Sequence, residues 1–477
     1  MYSRRTLLNR LTGGIGGIAL ADLMSQSRGF AAAPNIGRPG LPGLPHFAPK
    51  AKRVIVLFMS GGMTQFETFD YKPELIKNNG KELPDSYKNG RQQLLGMSGN
   101  QAHFTMAGAT CTFNQHGQSG AWISEHFPHT AKVADDLCFI KTMKSDAVNH
   151  DPAMTFIQTG AQLPGRPSMG AWVSYGLGTE NSNLPSFIVL VSKRLVDQPL
   201  SSRLWDSGFL PTSHQGVQFR AAKDSVLYLS SPAGIDRENE KMALERYVQL
   251  QQAKLPVNAE ADINARIEQY EMAFKMQTSI PDATDVSKEP QSVLDLYGPD
   301  VKTPGSFAAN CLLARRLAEK DVRYIQLYHP GWDMHGGVCT NMPKQAREVD
   351  QAAAGLIQDL KNRDMLKDTL VIFMSEFGRT CYSQGRPRTN PVDFGREHHR
   401  DCFSIWMAGG GIKGGLSYGE TDDLGFAPAK DIVHVNDFHA TLMHVLGINH
   451  EKFTYRFQGR DFRLTDVAGK VVKAILA

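Results

Sequence analysis

Continuous apolar runs that alternate with segments of helical spacing place the strongest constraint on the fold of this chain. Residues 54–59 read Val-Ile-Val-Leu-Phe-Met. A strand that is apolar on both faces is typical of a parallel sheet covered by helices. Further strands are predicted at 137–143, 187–191, 322–328, 369–374 and 403–408, and helices at 120–135, 152–158, 306–320, 343–361 and 436–446. The sequence therefore predicts an α/β fold with a mostly parallel sheet between helices.

The composition is that of an ordinary globular protein. The chain has 477 residues, of which 41% are hydrophobic and 21% are charged. Its formal net charge of +4 is too small to indicate a nucleic-acid surface. No apolar run is long enough to span a bilayer. We therefore expect neither a nucleic-acid partner nor a transmembrane anchor, while the oligomeric state is open.

The chain is predicted to consist of three segments. Residues 1–33 have the form of a twin-arginine signal peptide, with Ser3-Arg4-Arg5, a weakly apolar stretch and Ala31-Ala32-Ala33 in order. This pattern predicts export to the periplasm or the extracellular space. Residues 34–50 are rich in proline and glycine and are interpreted as a linker. Residues 51–477 are predicted to form one α/β domain with a largely helical insertion at about 195–300.

Polar clusters adjoin several of the predicted strands. Imidazoles and carboxylates collected at strand ends supply the nitrogen and oxygen ligands that a divalent metal needs. A hydrogen-bonded loop is the ordinary alternative for any one cluster, but four of them occur here. The clusters are Asn149-His150-Asp151-Pro152, Trp332-Asp333-Met334-His335, Ser375-Glu376-Phe377-Gly378-Arg379 and Arg396-Glu397-His398-His399-Arg400.

These clusters carry a resemblance to known families. Together with Gly61-Gly62-Met63-Thr64 and Tyr455-Arg456-Phe457-Gln458-Gly459-Arg460, they resemble the bacterial family labelled domain of unknown function 1501. More distantly, the chain is similar to the alkaline phosphatase and sulfatase superfamily. That resemblance implies a parallel sheet between helices and a metal-dependent hydrolase of phosphate or sulfate esters.

The superfamily pattern is altered at several positions. Ser60-Gly61 stands where the superfamily has a metal-binding aspartate followed by glycine, and the position of its nucleophile falls on His150. The middle aspartate and histidine resemble Asp333 and His335. Ser375-Glu376-Phe377-Gly378 replaces Ser-Asp-His-Gly, and the late histidine ligand resembles His398 or His399. The order of the motifs therefore supports the fold, while the ligand set differs.

His150 allows three interpretations: a metal ligand, a nucleophile that forms a phosphohistidine, or a structural residue. We favour the ligand, because the other matched positions are ligands and neutral imidazole binds zinc and similar metals. The full predicted ligand set is His150, Asp333, His335, Glu376 and His398 or His399. Several histidines among the donors favour zinc or manganese, as one ion or two.

Arginines lie beside the predicted ligands. Arg379 and Arg396, with His150, are the predicted catalytic residues, since an arginine fork suits a phosphate, sulfate or carboxylate group. Pairing with local carboxylates such as Glu397 is an equal alternative. Two functions follow: an exported metal-dependent hydrolase that acts on a small-molecule or glycan ester, or a non-catalytic surface protein that binds a ligand.

Overall fold

The computed structural model of the chain describes residues 39–88, 95–99, 101–192, 200–219, 279–384 and 394–477, together with short pieces of the segment 238–277. The predicted signal peptide and about half of the predicted insertion lie outside the described residues. The described residues all belong to the unit Gly37–Ala477.

A nine-stranded sheet forms the centre of this unit. Its strands, numbered in chain order, are β1 (Arg53–Met59), β2 (Leu137–Lys144), β3 (Phe187–Val191), β4 (Val217–Phe219), β5 (Tyr324–His329), β6 (Thr369–Met374), β7 (Phe403–Ala408), β8 (Leu416–Tyr418) and β9 (Val433–His434). Their spatial order is β8-β2-β7-β6-β1-β5-β3-β4, with β9 also paired to β2. The predicted mostly parallel sheet is confirmed.

One strand runs against the others. β7 pairs antiparallel with both β2 and β6, whereas the other pairs in the sheet are parallel. The start of β7 therefore lies at the same edge of the sheet as the ends of β1, β2, β5 and β6. Segments that follow those four strands and the segment that precedes β7 consequently meet at this edge, which is where open α/β sheets place their sites.

Helices cover both faces of the sheet, because side chains along each strand alternate between two cores. Ile55, Leu57 and Met59 pack into a core shared with the helices of 307–319 and 338–362. Val54, Val56 and Phe58 face the opposite core, which is shared with the helices of 150–159, 169–177 and 435–445. The α-helices whose bounds lie within the described residues are α1 (Pro73–Lys77), α2 (Asp85–Lys88), α3 (Leu95–Ser98), α4 (His150–Thr159), α5 (Met169–Leu177), α6 (Gln291–Tyr297), α7 (Phe307–Glu319), α8 (Val338–Asn362) and α9 (Val435–Val445). Residues 279–284 are also helical.

Two predicted helices differ from the structure. The helix predicted at 120–135 is wrong, because Ala121–Ser124 is a strand paired with Phe113–His116, and only Thr130–Asp136 is helical, as a 3-10 helix. Gly117 and Gly120 have positive φ and form the turn of that hairpin. α8 begins five residues before the predicted start, with Pro343 in its second turn rather than at its first position.

Three short ribbons complete the described structure: Gly378–Ser383 with Arg396–His399, Glu420–Thr421 with Pro428–Lys430, and Tyr455–Phe457 with Arg460–Phe462. The first of these, which we call the histidine ribbon, links the end of β6 to the start of β7. Within the described residues, no helix is long and apolar enough to cross a membrane.

Candidate metal centre

Four side chains converge at the sheet edge described above. His150, Asp333, His335 and His398 each offer one ligand atom, and these atoms all lie within 4.8 Å of one another. His150 begins α4 after β2, the Asp333–His335 loop follows β5, and His398 lies in the histidine ribbon before β7. The structure therefore brings together four of the six predicted metal ligands, from three segments far apart in sequence.

The spacing of the four ligand atoms suits a single ion. Oδ1 of Asp333 lies 3.3 Å from Nε2 of His150, 2.9 Å from Nε2 of His335 and 3.3 Å from Nε2 of His398. A tetrahedral ion at about 2.0–2.1 Å from each ligand would separate those ligands by roughly 3.3–3.4 Å. The distances from Asp333 to His150 and His398 match that separation, and the distance to His335 is shorter.

Each imidazole is held from behind by a hydrogen-bond acceptor. Nδ1 of His150 lies 2.7 Å from Oε1 of Glu376, and Nδ1 of His335 lies 2.5 Å from Oε1 of Gln384. Nδ1 of His398 lies 3.0 Å from the carbonyl oxygen of Val148. An acceptor at Nδ1 places the proton of a neutral imidazole there, so the lone pair resides on Nε2. All three Nε2 lone pairs then face Asp333.

Glycines allow the loops of the centre to approach one another. Gly61 has a φ of +121°, and a Cβ there would lie 2.5 Å from the backbone nitrogen of Asp333. A Cβ at Gly395 would lie 1.9 Å from the carbonyl carbon of His335. Neither position can hold a larger residue without moving a ligand loop. These two glycines therefore set the packing that brings Asp333 and His335 to the centre.

The donor set fits a cation. Nε2 of His150 is buried and has no hydrogen-bond partner. When the imidazoles are neutral, their three lone pairs would repel the carboxylate oxygen that they face, and a buried polar atom without a partner is costly. A divalent metal satisfies all four groups together, with three nitrogen ligands and one oxygen ligand. His150, Asp333, His335 and His398 are the residues that would hold it.

The titration of the ligands reflects their shared carboxylate. Burial alone would lower the pKa of His150, but its interactions with the Asp333 and Glu376 carboxylates outweigh burial and raise that pKa to about 9. The hydrogen bond to Asp333 also raises the pKa of His335. Burial lowers the pKa of His398. Burial would raise the pKa of Asp333, yet its histidine neighbours hold that pKa well below its usual range.

Glu376 was predicted as a metal ligand, but the structure places it behind a ligand. Its Oε1 accepts hydrogen bonds from the Gly61 backbone nitrogen at 2.9 Å and from Nδ1 of His150 at 2.7 Å. Its Oε2 accepts from the Ser375 hydroxyl at 3.0 Å. Both oxygens are therefore occupied, and the carboxylate orients His150 instead of contacting the centre directly.

The Arg379 side chain contacts the centre, but most of its N–H groups bind protein oxygens rather than pointing towards an anion site. Its Nη2 donates to Asp333 Oδ1 at 2.5 Å and to the carbonyl of Gly61. Its Nε donates to the Gly62 carbonyl at 2.7 Å and its Nη1 to the Arg396 carbonyl at 3.0 Å. Four of the five guanidinium N–H groups are thus bound by protein, so the side chain holds Asp333 in place.

Arg396 and His399, also predicted as site residues, face elsewhere. The Arg396 guanidinium makes a two-pronged ion pair with Glu67, at 2.6 and 3.1 Å, and all of these atoms are buried. Nε2 of His399 lies 2.7 Å from the carbonyl oxygen of Phe426. The structure does not bring either side chain to the ligand cluster, and of the two adjacent histidines it places His398 there.

Two residues of the centre were not found from the sequence. Gln384 orients His335, and its Nε2 donates to Oε2 of Glu397 at 2.8 Å. Oε1 of Glu397 accepts from the backbone nitrogen of His398 at 2.9 Å, so this carboxylate connects two ligands. Glu397 lies inside a cluster that the sequence analysis identified, and its position next to His398 in the sequence was a signal. Gln384 gave none, because it lies 49 residues from His335.

Three solved structures of low identity align with the chain. The PsFucS1 sulfatase from Pseudoalteromonas sp. is 12% identical, with a TM-score of 0.34, over 84% of this chain and 68% of that chain. The alkaline phosphatase from the Antarctic bacterium TAB5 is 14% identical, with a TM-score of 0.33, over 84% and 99%. The lipoteichoic acid synthase LtaP from Listeria monocytogenes is 8% identical, with a TM-score of 0.35, over 94% and 80%. Each likeness is weak, and none identifies a substrate for this chain.

No curated protein matches the chain. The match to a family model is much stronger than the structural likenesses. The family model described as "Protein of unknown function (DUF1501)" matches residues 51–476, which include every ligand of the centre. The family assignment that the sequence motifs indicated is confirmed. The chain belongs to the DUF1501 family of proteins of unknown function.

Proposed function

We propose that the chain is a metal-dependent hydrolase that cleaves a phosphate or sulfate ester of a small molecule or a glycan. The observation that carries this proposal is the convergence of three Nε2 atoms on Oδ1 of Asp333, with every imidazole held from behind. When bound there, a divalent cation supplies a Lewis acid that polarises an ester oxygen and lowers the pKa of water.

The centre opens on the side of His335. The side chain of His335 is 36% exposed, whereas those of His150 and His398 are 10% and 3% exposed. Asp333 is 20% exposed. A substrate therefore approaches past His335, and the other two imidazoles form the closed wall of the centre.

His150 acts as a ligand in this proposal and not as a nucleophile. Its Nδ1 is bound to Glu376, and its Nε2 faces Asp333 at 3.3 Å. A phosphohistidine would require one of these nitrogens to leave its partner and attack the substrate. The geometry supports the first of the three interpretations that the sequence left open, and water is the nucleophile in this proposal.

The donor set also bears on the metal. Three imidazole nitrogens and one carboxylate oxygen suit zinc or manganese. Four protein ligands complete the tetrahedral shell that zinc prefers, whereas manganese accepts up to six ligands and keeps positions for substrate and water. We therefore propose that zinc binds the centre and that manganese supports hydrolysis better.

A second candidate function is a ligand-binding protein without turnover. The observation that favours it is the engagement of both predicted anion-binding arginines with protein groups, Arg379 with Asp333 and Arg396 with Glu67. A phosphate or sulfate ester would need its charge neutralised by the metal or by other residues. The following experiment separates the two candidates.

The full chain is purified without chelator, and its zinc, manganese and iron are measured by elemental analysis. Hydrolysis of nitrophenyl phosphate, bis-nitrophenyl phosphate and nitrophenyl sulfate is then measured with each metal. The His335→Ala and Asp333→Asn variants should lose metal and activity, while the exposed His103→Ala variant keeps both. Absence of metal would reject the centre. Bound metal without hydrolysis of any ester would favour the ligand-binding protein.

We also propose that the chain is exported by the twin-arginine route. Ser3-Arg4-Arg5 and Ala31-Ala32-Ala33 support this, and cleavage would leave a mature chain that begins near Pro34. Replacing Arg4 and Arg5 together by lysine should retain the precursor in the cytosol, as seen by fractionation and immunoblotting. Unchanged processing in the double variant would refute this route.

A further inference from the structure

We infer that the buried Arg379 guanidinium is a permanent positive charge of the centre and that the centre binds one divalent ion and not two. This inference rests on the proposed metal site and deepens it. The sequence left one or two ions open, and the structure provides three independent reasons for one: the fixed guanidinium, the local charge and the commitment of the remaining donors.

The first reason is that the guanidinium of Arg379 cannot move aside. The residue is 1% exposed. Its hydrogen bonds to the carbonyls of Gly61, Gly62 and Arg396 fix the plane of the group, and its Nη2 lies 2.5 Å from Oδ1 of Asp333. One positive charge is therefore permanently next to the oxygen that the three histidines surround. A second metal ion that shared Oδ1 of Asp333 would have to displace this guanidinium.

The second reason is the charge of the buried cluster. Glu67 is neutralised by Arg396, which leaves Asp333, Glu376 and Glu397 as three negative charges against the single positive charge of Arg379. An imidazole that binds a metal through Nε2 is neutral, so the three histidines add no charge when an ion is bound. The remaining two negative charges match one divalent cation. A second divalent ion would leave a buried excess of two positive charges, which is costly in a medium of low dielectric constant.

The third reason is that the carboxylate beside the first ion already accepts hydrogen bonds from protein groups. Both oxygens of Glu376 accept hydrogen bonds, from Gly61, His150 and Ser375. Phe377, the next residue, is fully buried, and its ring packs 4.9 Å from the His150 ring and 4.6 Å from the His398 ring. An apolar ring therefore stands next to Glu376 where a second cation would need a ligand.

The stoichiometry tests the inference directly. The full chain is stripped with a chelator, titrated with zinc or with manganese, and examined by native mass spectrometry. We expect one equivalent that is lost in His335→Ala. Two equivalents in the wild type, both lost in His335→Ala, would overturn the inference while leaving the metal site intact. Zero equivalents would reject the proposed metal site instead.

A charge variant tests the role of Arg379. Since a cation next to a ligand opposes the metal electrostatically, Arg379→Met should bind zinc at least about tenfold more tightly than the wild type. Arg379→Lys keeps the charge and should not gain affinity, and the exposed Arg456→Met serves as the matched control. Weaker binding in Arg379→Met would show that the arginine only supports Asp333. If that variant does not fold, the wild-type stoichiometry still decides.

Discussion

Nδ1 of His150 lies 2.7 Å from Oε1 of Glu376, whose side chain has no exposed surface. The pair joins the start of α4 to the end of β6, and it turns the other ring nitrogen towards Asp333. A carboxylate behind a ligating imidazole fixes the ring orientation and makes the ligand more basic. The acidic residue of the altered Ser-Glu-Phe-Gly motif would thus act on a metal at the proposed site through a histidine.

The first prediction concerns this carboxylate. Glu376→Gln keeps an oxygen that can accept from His150 but removes the charge, so metal affinity should fall by about 10- to 100-fold. Zinc affinity is measured by competition with a chelating dye. The exposed Glu74→Gln variant is the control and should bind like the wild type. Equal affinity in Glu376→Gln would mean that the carboxylate does not tune the ligand.

The second prediction concerns Gln384. Gln384→Leu removes the acceptor that orients His335, the most exposed ligand, and should weaken zinc binding by about 10- to 100-fold. The same dye competition measures this change. Gln358→Leu, a change at a half-buried position on α8, should have no effect. An unchanged affinity in Gln384→Leu would indicate that the loop backbone alone positions His335.

The third prediction separates stability from catalysis at Arg396. Glu67→Gln leaves the Arg396 charge buried without its partner and should lower the free energy of unfolding by about 3–5 kcal/mol, measured by urea denaturation. The double variant Glu67→Gln with Arg396→Met should recover much of that loss. Metal content of the folded protein should stay at the wild-type level in both. Loss of metal without loss of stability would place Arg396 in the centre after all.

The fourth prediction is a pH dependence that comes from His439. Burial lowers the pKa of His439 to about 4, below its ordinary value of 6.5. As the pH falls below 6.5, the unfolded chain takes up a proton at this residue before the folded chain does. Stability should therefore fall between pH 6.5 and 4, by at most about 1.4 kcal/mol per pH unit from this group.

The His439→Gln variant tests this. A glutamine can still donate to the Ile157 carbonyl that accepts from His439 Nε2 at 2.8 Å, but it does not titrate. Urea denaturation of both proteins from pH 7 to 4 should show a shallower loss in the variant. Parallel curves would assign the acid sensitivity to other groups.

The sheet and the edge that carries the centre could be predicted from the sequence. The bounds of β3 and β6 agree with the predicted strands, because short apolar runs flanked by polar residues indicate buried strands directly. Polar clusters next to such strands also pointed to the right edge. Asp333, His335 and His150 were assigned as ligands on this basis, and the structure brings them together.

The partners of the other residues depend on contacts that no local pattern encodes. Arg396 pairs with Glu67, which is 329 residues away, whereas a substrate anion and nearby carboxylates were the two predicted alternatives. Glu376 was predicted to touch the metal, and only the position of His150 shows that an imidazole stands in between. Distances of this kind are set by the packing of loops after β1 and β6, where Gly61 allows close approach.

Because His398 and His399 are adjacent on one strand, an imidazole is available at the centre in two alternative strand registers. Neighbouring side chains on a strand point to opposite sides, and the pairing of the histidine ribbon is irregular between Arg396 and His398. That irregularity selects which imidazole faces Asp333. A shift of one residue would exchange the two histidines, so an insertion or deletion in the ribbon would replace one nitrogen donor with another. Two consecutive histidines would thus keep a nitrogen donor at this position after a one-residue insertion or deletion in the ribbon. A ribbon with one histidine would lose its donor.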